Sequence, residues 1–264
     1  MGAALRLPGW HNTSVLKKKR QTVDAGVECW DSAGASDVGL VRQLNEDSFL
    51  DRPDLGLWVV ADGMGGHSCG DVASQKVCTA LDKLPYFDSL SATVDFLEES
   101  VIEVNQELID LANVNQAGSI IGSTVVALVA RGHHGICMWA GDSRLYLLRD
   151  RILKRLSVDH SLVEEAGGSD GDFAASHSNI ITRAVGSDAR LVLDMDAFSL
   201  IQGDRFLLCS DGLSKELDDI EIARNLMTGN AQFASAALVE NAVRAGGTDN
   251  ITVIVADYGP GRSK

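Results

Sequence analysis

Apolar runs in this chain repeatedly end in an acid. "LWVVA" (57–61) runs into Asp62-Gly63, "ICMWA" (136–140) with Gly141 into Asp142-Ser143, and "RFLLC" (205–209) with Ser210 into Asp211-Gly212. In the other direction, Asp249-Asn250 leads directly into "ITVIVA" (251–256), and Glu46-Asp47 into "SFL". Taken singly, an Asp or Gly after a strand is an ordinary turn residue. Together these positions bring carboxylates to one end of stacked sheets, where they repel and raise each other's pKa unless a cation neutralises them. Oxygen-only ligands suit Mg2+ or Mn2+, and the scarcity of His and Cys in the set speaks against zinc.

The turn "DGMGGHSCG" (62–70) holds four glycines, costly to order, so its backbone must approach something closely. Asp62 could bridge two cations, with the Gly63 carbonyl as a further oxygen ligand. A carboxylate-bridged pair would hold a water between the ions and lower its pKa, producing a hydroxide near neutral pH suited to hydrolysing phosphate esters. Arg42, four residues before Glu46, could clamp the phosphate as a planar bidentate donor; alone, it reads equally as a surface ion pair. A nucleotide-binding loop is a poor fit, because the turn has neither GxxxxGK[ST] nor GxGxxG spacing.

The elements that must position these groups are legible as short strand-like runs at 57–61, 123–130, 136–140, 144–148, 205–209 and 251–256. Val94, Leu97, Val101, Val104, Leu108 and Leu111 alternate three and four apart and make one apolar helix face. Further helices are expected at about 70–83 and 218–245, the second broken near "TGN" (228–230). Strands grouped in the middle with helices between the groups point to packed sheets flanked by helices rather than regular βαβ alternation.

Composition narrows the class. With 264 residues, 45% of them hydrophobic, the chain can bury a full core. No apolar run reaches the roughly 18 residues of a membrane span, and no secretory signal is evident, so a cytoplasmic location and no membrane partner are expected. The formal charge of −14 argues against nucleic-acid binding. Five cysteines, widely spaced and without CxxC pairs, form neither a disulfide framework nor a zinc site; Cys137 and Cys209 read as buried thiols, and Cys69 as a small residue at a helix start. Residues 1–23, with "KKKR" at 17–20, read as a flexible tail, and 24–260 as one catalytic domain.

These residues resemble the metal-dependent serine/threonine protein phosphatases of type 2C in their bacterial form. The match runs in the family's order through "VGLVRQLNEDSF" (38–49), "VVADGMGGHSCGDVAS" (59–74), "GSTVVALVA" (122–130), "AGDSRLYLLRD" (140–150), "LSVDHSLVEE" (156–165), "NIITRAVG" (179–186), "FLLCSDGLSKEL" (206–217) and "GGTDNITVIVAD" (246–257). The resemblance implies an α+β fold, a four-layer α/β/β/α sandwich of two antiparallel sheets with the metal centre at one end. It implies that Asp62 bridges two Mn2+ or Mg2+ ions, with Gly63 giving its carbonyl and Asp211 and Asp249 binding one ion directly. Glu46 and Asp47 would help hold the other, Arg42 would bind the substrate phosphate, and Asp142 would hold a third, looser ion. Asn250 follows the ligand aspartate as the pattern expects.

The implied activity is hydrolysis of phosphoserine or phosphothreonine on protein partners, reversing a cognate serine/threonine kinase. A catalytically weak phosphoprotein-binding regulator of the same fold is the alternative, disfavoured because Asp62, Asp211 and Asp249 are all present. Two departures stand out. Met64 occupies the position where animal members carry the histidine thought to protonate the leaving oxygen, which leaves the general acid unnamed. The flap segment "EAGGSDGDFAASHSN" (165–179) is short and rich in Gly and Ser. His67 is either a loop residue bonded to backbone or a proton donor, and His160 is read as fixing the start of the following helix.

Overall fold

Strict alternation along the central strands decides the layering. In β3 (Leu57–Gly65), Leu57, Val59 and Ala61 join one apolar cluster with helix residues, while Trp58 and Val60 join another with the opposing sheet. Side chains on a strand point alternately to the two faces, so both faces of this strand must be covered. The computed structural model describes residues 28–65, 69–115, 120–167 and 180–260. The tail expected at 1–23 and His67 therefore lie outside the described residues, as does most of the flap segment.

One sheet is ordered β1 (Glu28–Asp37), β11 (Ile251–Pro260), β10 (Arg205–Cys209), β7 (Arg144–Arg149), β8 (Ile152–Arg155). The other runs β2 (Asp47–Arg52), β3, β5 (Val125–Arg131), β6 (His134–Ala140), β9 (Asp194–Ser199), with the short β4 (Ile121–Ser123) pairing to the end of β3. All the strand pairs are antiparallel. Between the sheets lie Trp58, Val60, Val126, Leu128, Leu145, Leu147, Phe206, Leu208 and Ile254. The long α2 (Leu90–Asn115) buries Leu97, Val101, Val104 and Leu108 with α1 (Gly70–Leu81) on the outer face of the β3 sheet. The other outer face is covered by α4 (Asp211–Glu216), α5 (Asp219–Leu226) and α6 (Ala231–Ala245), through Leu213, Ile222 and Leu238. This is the expected four-layer arrangement.

Helix limits follow local chemistry. The break at 228–230 comes from Gly229, at φ +64°, and Asn230, whose side chain accepts from Phe233 N–H and caps α6. A reciprocal capping box between Asp218 and Glu221 starts α5. The four-residue α3 (Leu162–Glu165) is capped by Ser161, so the helix-starting role expected of His160 belongs to its neighbour. The single run expected at 123–130 divides into β4 and β5. Four further strands were not expected, β1, β8 and β9 entirely and β2 beyond its first residues. Each is the edge of its sheet. Cys137 and Cys209 are buried as expected, and Cys69 immediately precedes α1 without capping it through its side chain. No helix among the described residues is long and apolar enough to cross a membrane.

Phe206 is fully buried between the sheets, with Phe198 at 5.6 Å and Trp30 at 6.0 Å between ring centroids. Phe206→Ala is expected to cost about 3–5 kcal/mol in urea denaturation, the usual cost of an emptied aromatic site. Ile220→Ala, at a side chain 69% exposed, should stay within about 0.5 kcal/mol.

Candidate metal and phosphate site

The sheet register brings the acids together. Asp47, first residue of β2, pairs across the ladder with Asp62 near the end of β3. Asp211 starts α4 directly after β10, and Asp249 lies two residues before β11, at the matching end of the other sheet. Ser210 joins the sheets: its hydroxyl donates to Asp47 Oδ2 at 2.8 Å and accepts from Thr252 N–H at 3.0 Å. Asp142 follows β6 in a turn fixed from behind by His160, whose ring Nδ1 accepts from Gly141 N–H at 3.1 Å and whose backbone N–H donates to the Gly141 carbonyl at 2.9 Å. That assigns the ring proton to Nε2, 3.2 Å from Asp194 Oδ2.

The glycines beside the acids are there for space. A Cβ on Gly63 would lie 1.9 Å from the Gly70 carbonyl oxygen and 2.6 Å from that of Glu46, and one on Gly70 would lie 2.5 Å from Glu46 Oε1. The turn therefore brings the start of α1, the Gly63 backbone and the Glu46 carboxylate into contact. At Gly212 a Cβ would meet the Asn250 carbonyl at 2.0 Å. The backbone of Asp62 is held as well, its N–H donating to Thr124 Oγ1 at 3.0 Å and its carbonyl accepting from Thr124 N–H at 2.8 Å.

Asn250 clamps the segment that carries Arg42 and Glu46. Its buried side-chain oxygen accepts from Glu46 N–H at 2.8 Å, while its amide donates to the Val38 carbonyl at 2.9 Å and the Leu44 carbonyl at 3.0 Å. Arg42 meets Asp249 in a bidentate pair, Nε to Oδ1 at 2.9 Å and Nη2 to Oδ2 at 3.0 Å. Lys215, one helical turn after Asp211, lies 2.6 Å from Asp211 Oδ2 and 3.0 Å from Asp249 Oδ2. The sequence reading missed this lysine, although its i,i+4 spacing from Asp211 was a usable signal. It also missed Ser210, Thr124 and the His160 support of Gly141.

The electrostatics are those of crowded acids. Burial, then the charges of Asp47, Asp211, Asp142 and Asp249, push the Asp62 carboxyl well above the usual carboxylate range. Asp47 is pushed up to about 7 by burial and then by Asp211 and Asp249, and Asp142 to about 7 by burial and then by Asp211 and Asp159. Asp249 goes the other way: burial would raise it, but Lys215, the Asn250 N–H and Arg42 together hold it below the usual range. Burial opposes the charge on Lys215 too, yet Asp211 and Asp249 raise its pKa.

The donor set suits a hard cation. Buried oxygens Asp47 Oδ1, Asp142 Oδ1 and Asp211 Oδ1 have no hydrogen-bond partner, which is costly for a carboxylate unless something positive sits on it. Among the described residues no three acidic, His or Cys side chains are drawn in closely enough to ligate one ion as they stand. Arg42 pairs with both oxygens of Asp249, and Lys215 with Oδ2 of Asp211 and of Asp249.

Comparison with known proteins is consistent with this chemistry. The sequence profile described as Protein phosphatase 2C matches residues 41–244. The serine/threonine phosphatase Stp of Listeria monocytogenes is 32% identical over 235 residues, 84% of this chain and 93% of that protein. PstP of Mycobacterium tuberculosis, a serine/threonine protein phosphatase, is 36% identical over 231 residues, 85% of this chain but only 44% of the longer PstP. A solved structure of the PstP catalytic domain in complex with two manganese ions superposes with a TM-score of 0.78 at 34% identity, covering 88% of this chain and all of that one (100%). PppA, a key regulatory component of T6SS in Pseudomonas aeruginosa, reaches a TM-score of 0.82 at 42% identity, covering 87% of this chain and 98% of that one.

A pH dependence follows from the raised acids. In the unfolded chain such carboxyls ionise near 3.8, and in the fold Asp47 and Asp142 do so at about 7. Between those values the folded state binds more protons, so their contribution is full below pH 3.8 and is lost as pH rises to about 7. Metal-free protein is expected to melt at a lower temperature at pH 7.5 than at pH 5.5, and Asp47→Asn should flatten that slope. Mn2+ should reverse it, because ligation takes the ionised form. Calorimetry on dialysed protein checks this, and equal slopes in wild type and variant would count against the assignment.

Proposed function

The chain belongs to the protein phosphatase 2C family and is a protein-serine/threonine phosphatase, and from that premise we propose a two-ion hydrolysis of phosphoserine and phosphothreonine on protein substrates. The substrates would include the products of a cognate serine/threonine kinase, and residues 24–260 would form the single catalytic domain. The observation that carries the reading is the set of buried carboxylate oxygens without partners, gathered from both sheets at one end of the sandwich. The manganese pair in the PstP catalytic domain supports it.

Asp62 would hold the two Mn2+ or Mg2+ ions, with the Gly63 carbonyl as a further oxygen ligand, Asp211 and Asp249 on one side, and Glu46 with Asp47 on the other. Asp142, with its unpartnered Oδ1, offers a place for a third and looser ion. When bound, the divalent pair supplies a water that ionises near neutral pH and neutralises charge on the phosphoryl group. The remaining work falls to the chain. Arg42 uses its Nε and Nη2 edge on Asp249, which leaves the Nη1 side of the fork for a phosphate oxygen, and its side chain is 47% exposed. Asn250 fixes the height of the Arg42 segment above the acids through three backbone hydrogen bonds. Ser210 fixes the Asp47 rotamer. The stationary donors act on charge that develops at phosphorus without reorganising as it does so.

Turnover of nitrophenyl phosphate and of a phosphoserine peptide should vanish in chelator and return with Mn2+ or Mg2+. Asp62→Asn and Asp249→Asn should each lower it by roughly 100-fold or more. Activity that survives in metal-free protein would overturn the two-ion reading.

Asp142→Ala separates the outer position from the core pair. Turnover should fall while two ions remain bound in a metal count and the melting transition stays cooperative. Loss of the core pair would refute the outer role.

A further inference from the structure

Leu40, Val41 and Leu44 flank Arg42 in sequence, and all three side chains are open to solvent, at 70%, 66% and 43% exposed. Single apolar side chains on a surface are ordinary. Three within five residues, beside the arginine assigned to phosphate, mark a contact surface.

The segment that carries them is held on both sides of Arg42. Gly39 takes φ +78°, and a Cβ there would lie 2.3 Å from the Asp249 carbonyl oxygen and 2.7 Å from that of Gly247. Gly39 N–H donates to Asp37 Oδ1 at 2.8 Å, Leu40 N–H donates to the Gly247 carbonyl at 2.7 Å, and the Asn250 amide holds the carbonyls of Val38 and Leu44. The apolar side chains therefore project from a fixed frame. Their exposed surface gains free energy only when something covers it.

Leu40 and Arg42 both lean on the same short stretch of backbone. Arg42 grips Asp249, while the Leu40 side chain reaches Gly247, its Cγ 3.2 Å from where a Cβ on that glycine would be. Gly247 presents no side chain of its own, so Leu40 lies on bare backbone with the rest of its surface to solvent. Two residues of chain, as from 247 to 249, span at most about 7 Å. Residues i and i+2 of an extended peptide stand about as far apart, with their side chains on one face. An extended substrate with its phosphate on Arg42 thus brings a side chain two positions away within reach of Leu40.

We propose that Leu40, with Val41 beside it, is a specificity-determining contact for the phosphoprotein substrate, receiving an apolar side chain two residues from the phosphorylated serine or threonine. The proposal rests on the reading of Arg42 as the phosphate donor. Leu40 touches no reacting atom and binds ground state and transition state alike, so its effect lies in KM and not in kcat.

The test uses phosphoserine peptides with Leu or Ser placed singly at each of the three positions before and after the phosphoserine. Turnover is measured with Mn2+-loaded wild type, Leu40→Ser, Leu40→Met, Val41→Ser and Arg42→Ala, with nitrophenyl phosphate as the small substrate. Wild type should show a KM roughly five- to ten-fold lower when Leu stands two positions from the phosphoserine, on one side of it, than when Ser does. Leu40→Ser should remove that difference while leaving kcat, nitrophenyl phosphate turnover and the KM of the Ser peptide unchanged, and Leu40→Met should keep it. Val41→Ser should weaken it, and carries the variant arm if Leu40→Ser does not fold. A wild type whose KM responds to Leu at none of these positions would overturn the proposal, as would a preference that Leu40→Ser leaves intact. A patch that serves to pair two copies of this chain would appear as a dimer in gel filtration, lost in Leu40→Ser, with no peptide preference; that outcome also overturns it. Arg42→Ala should lower kcat/KM for every phosphopeptide. If it changes none, the phosphate reading falls, and this proposal with it.

Discussion

Carboxylates from two different sheets are forced together at one end of a dry sandwich, and their mutual repulsion is the constraint the surrounding structure answers. Nothing in the acids themselves favours this. Burial and neighbouring charge drive Asp62, Asp47 and Asp142 toward their neutral forms. The force that holds them in place comes from the apolar layer behind, where Trp58, Val60, Val126, Leu128, Phe206, Leu208 and Ile254 lock the two sheets face to face. Residues a strand's length away thus supply the free energy that an acid cluster spends, as expected where function requires local strain.

How close the acids come is decided by backbone. Gly63, Gly70 and Gly212 each lie where a Cβ would overlap a backbone carbonyl or the Glu46 carboxylate. Replacing any of them would push a loop outward, and with it an acid. Asn250 and Ser210 then convert proximity into a fixed arrangement. Asn250 ties the Arg42 segment to the start of β11, and Ser210 ties Asp47 of one sheet to Thr252 of the other. The two sheets are therefore joined by packing along their length and by hydrogen bonds at the site.

Much of this was legible in the sequence, for a physical reason. Central strands such as β3, β5 and β10 are buried on both faces, so they read as unbroken apolar runs, and the acids that follow the runs of β3 and β10 stand out. The strands at the edges carry no such signature. β1 reads "ECWDSAGASD" and β9 "DMDAFS", half-exposed strands whose pairing is fixed by their neighbours and not by their own composition. At the site, the acids and Arg42 were found because their types imply a cation and an anion. Lys215 was not, because its i,i+4 spacing from Asp211 in "DGLSKEL" is also that of a surface helix pair, and only Asp249, arriving from 34 positions away, sets it apart. His160 was singled out but given the wrong task. Ser161 caps the helix, and His160 holds the Gly141 turn before Asp142, a contact between segments that no local pattern contains.

The chain's overall charge of −14 poses a last problem, since its substrates carry phosphate and would be repelled by an acidic surface. At physiological ionic strength, screening reduces the field of distant surface charges over roughly 8 Å, so the approaching phosphate responds mainly to what lies within that range. On the two-ion reading it would meet Arg42, Lys215 and the divalent ions there, with the acids beneath already offset by Arg42 and Lys215. Neutralising the cluster therefore does two things at once. It permits carboxylates to be packed closely, and it lowers the local repulsion that an approaching phosphoryl group would meet. On the reading proposed above, Arg42 would join the two roles, because the same guanidinium that steadies Asp249 keeps a second edge open to a phosphate. A substrate would then be recognised by part of the machinery that makes the site stable without it.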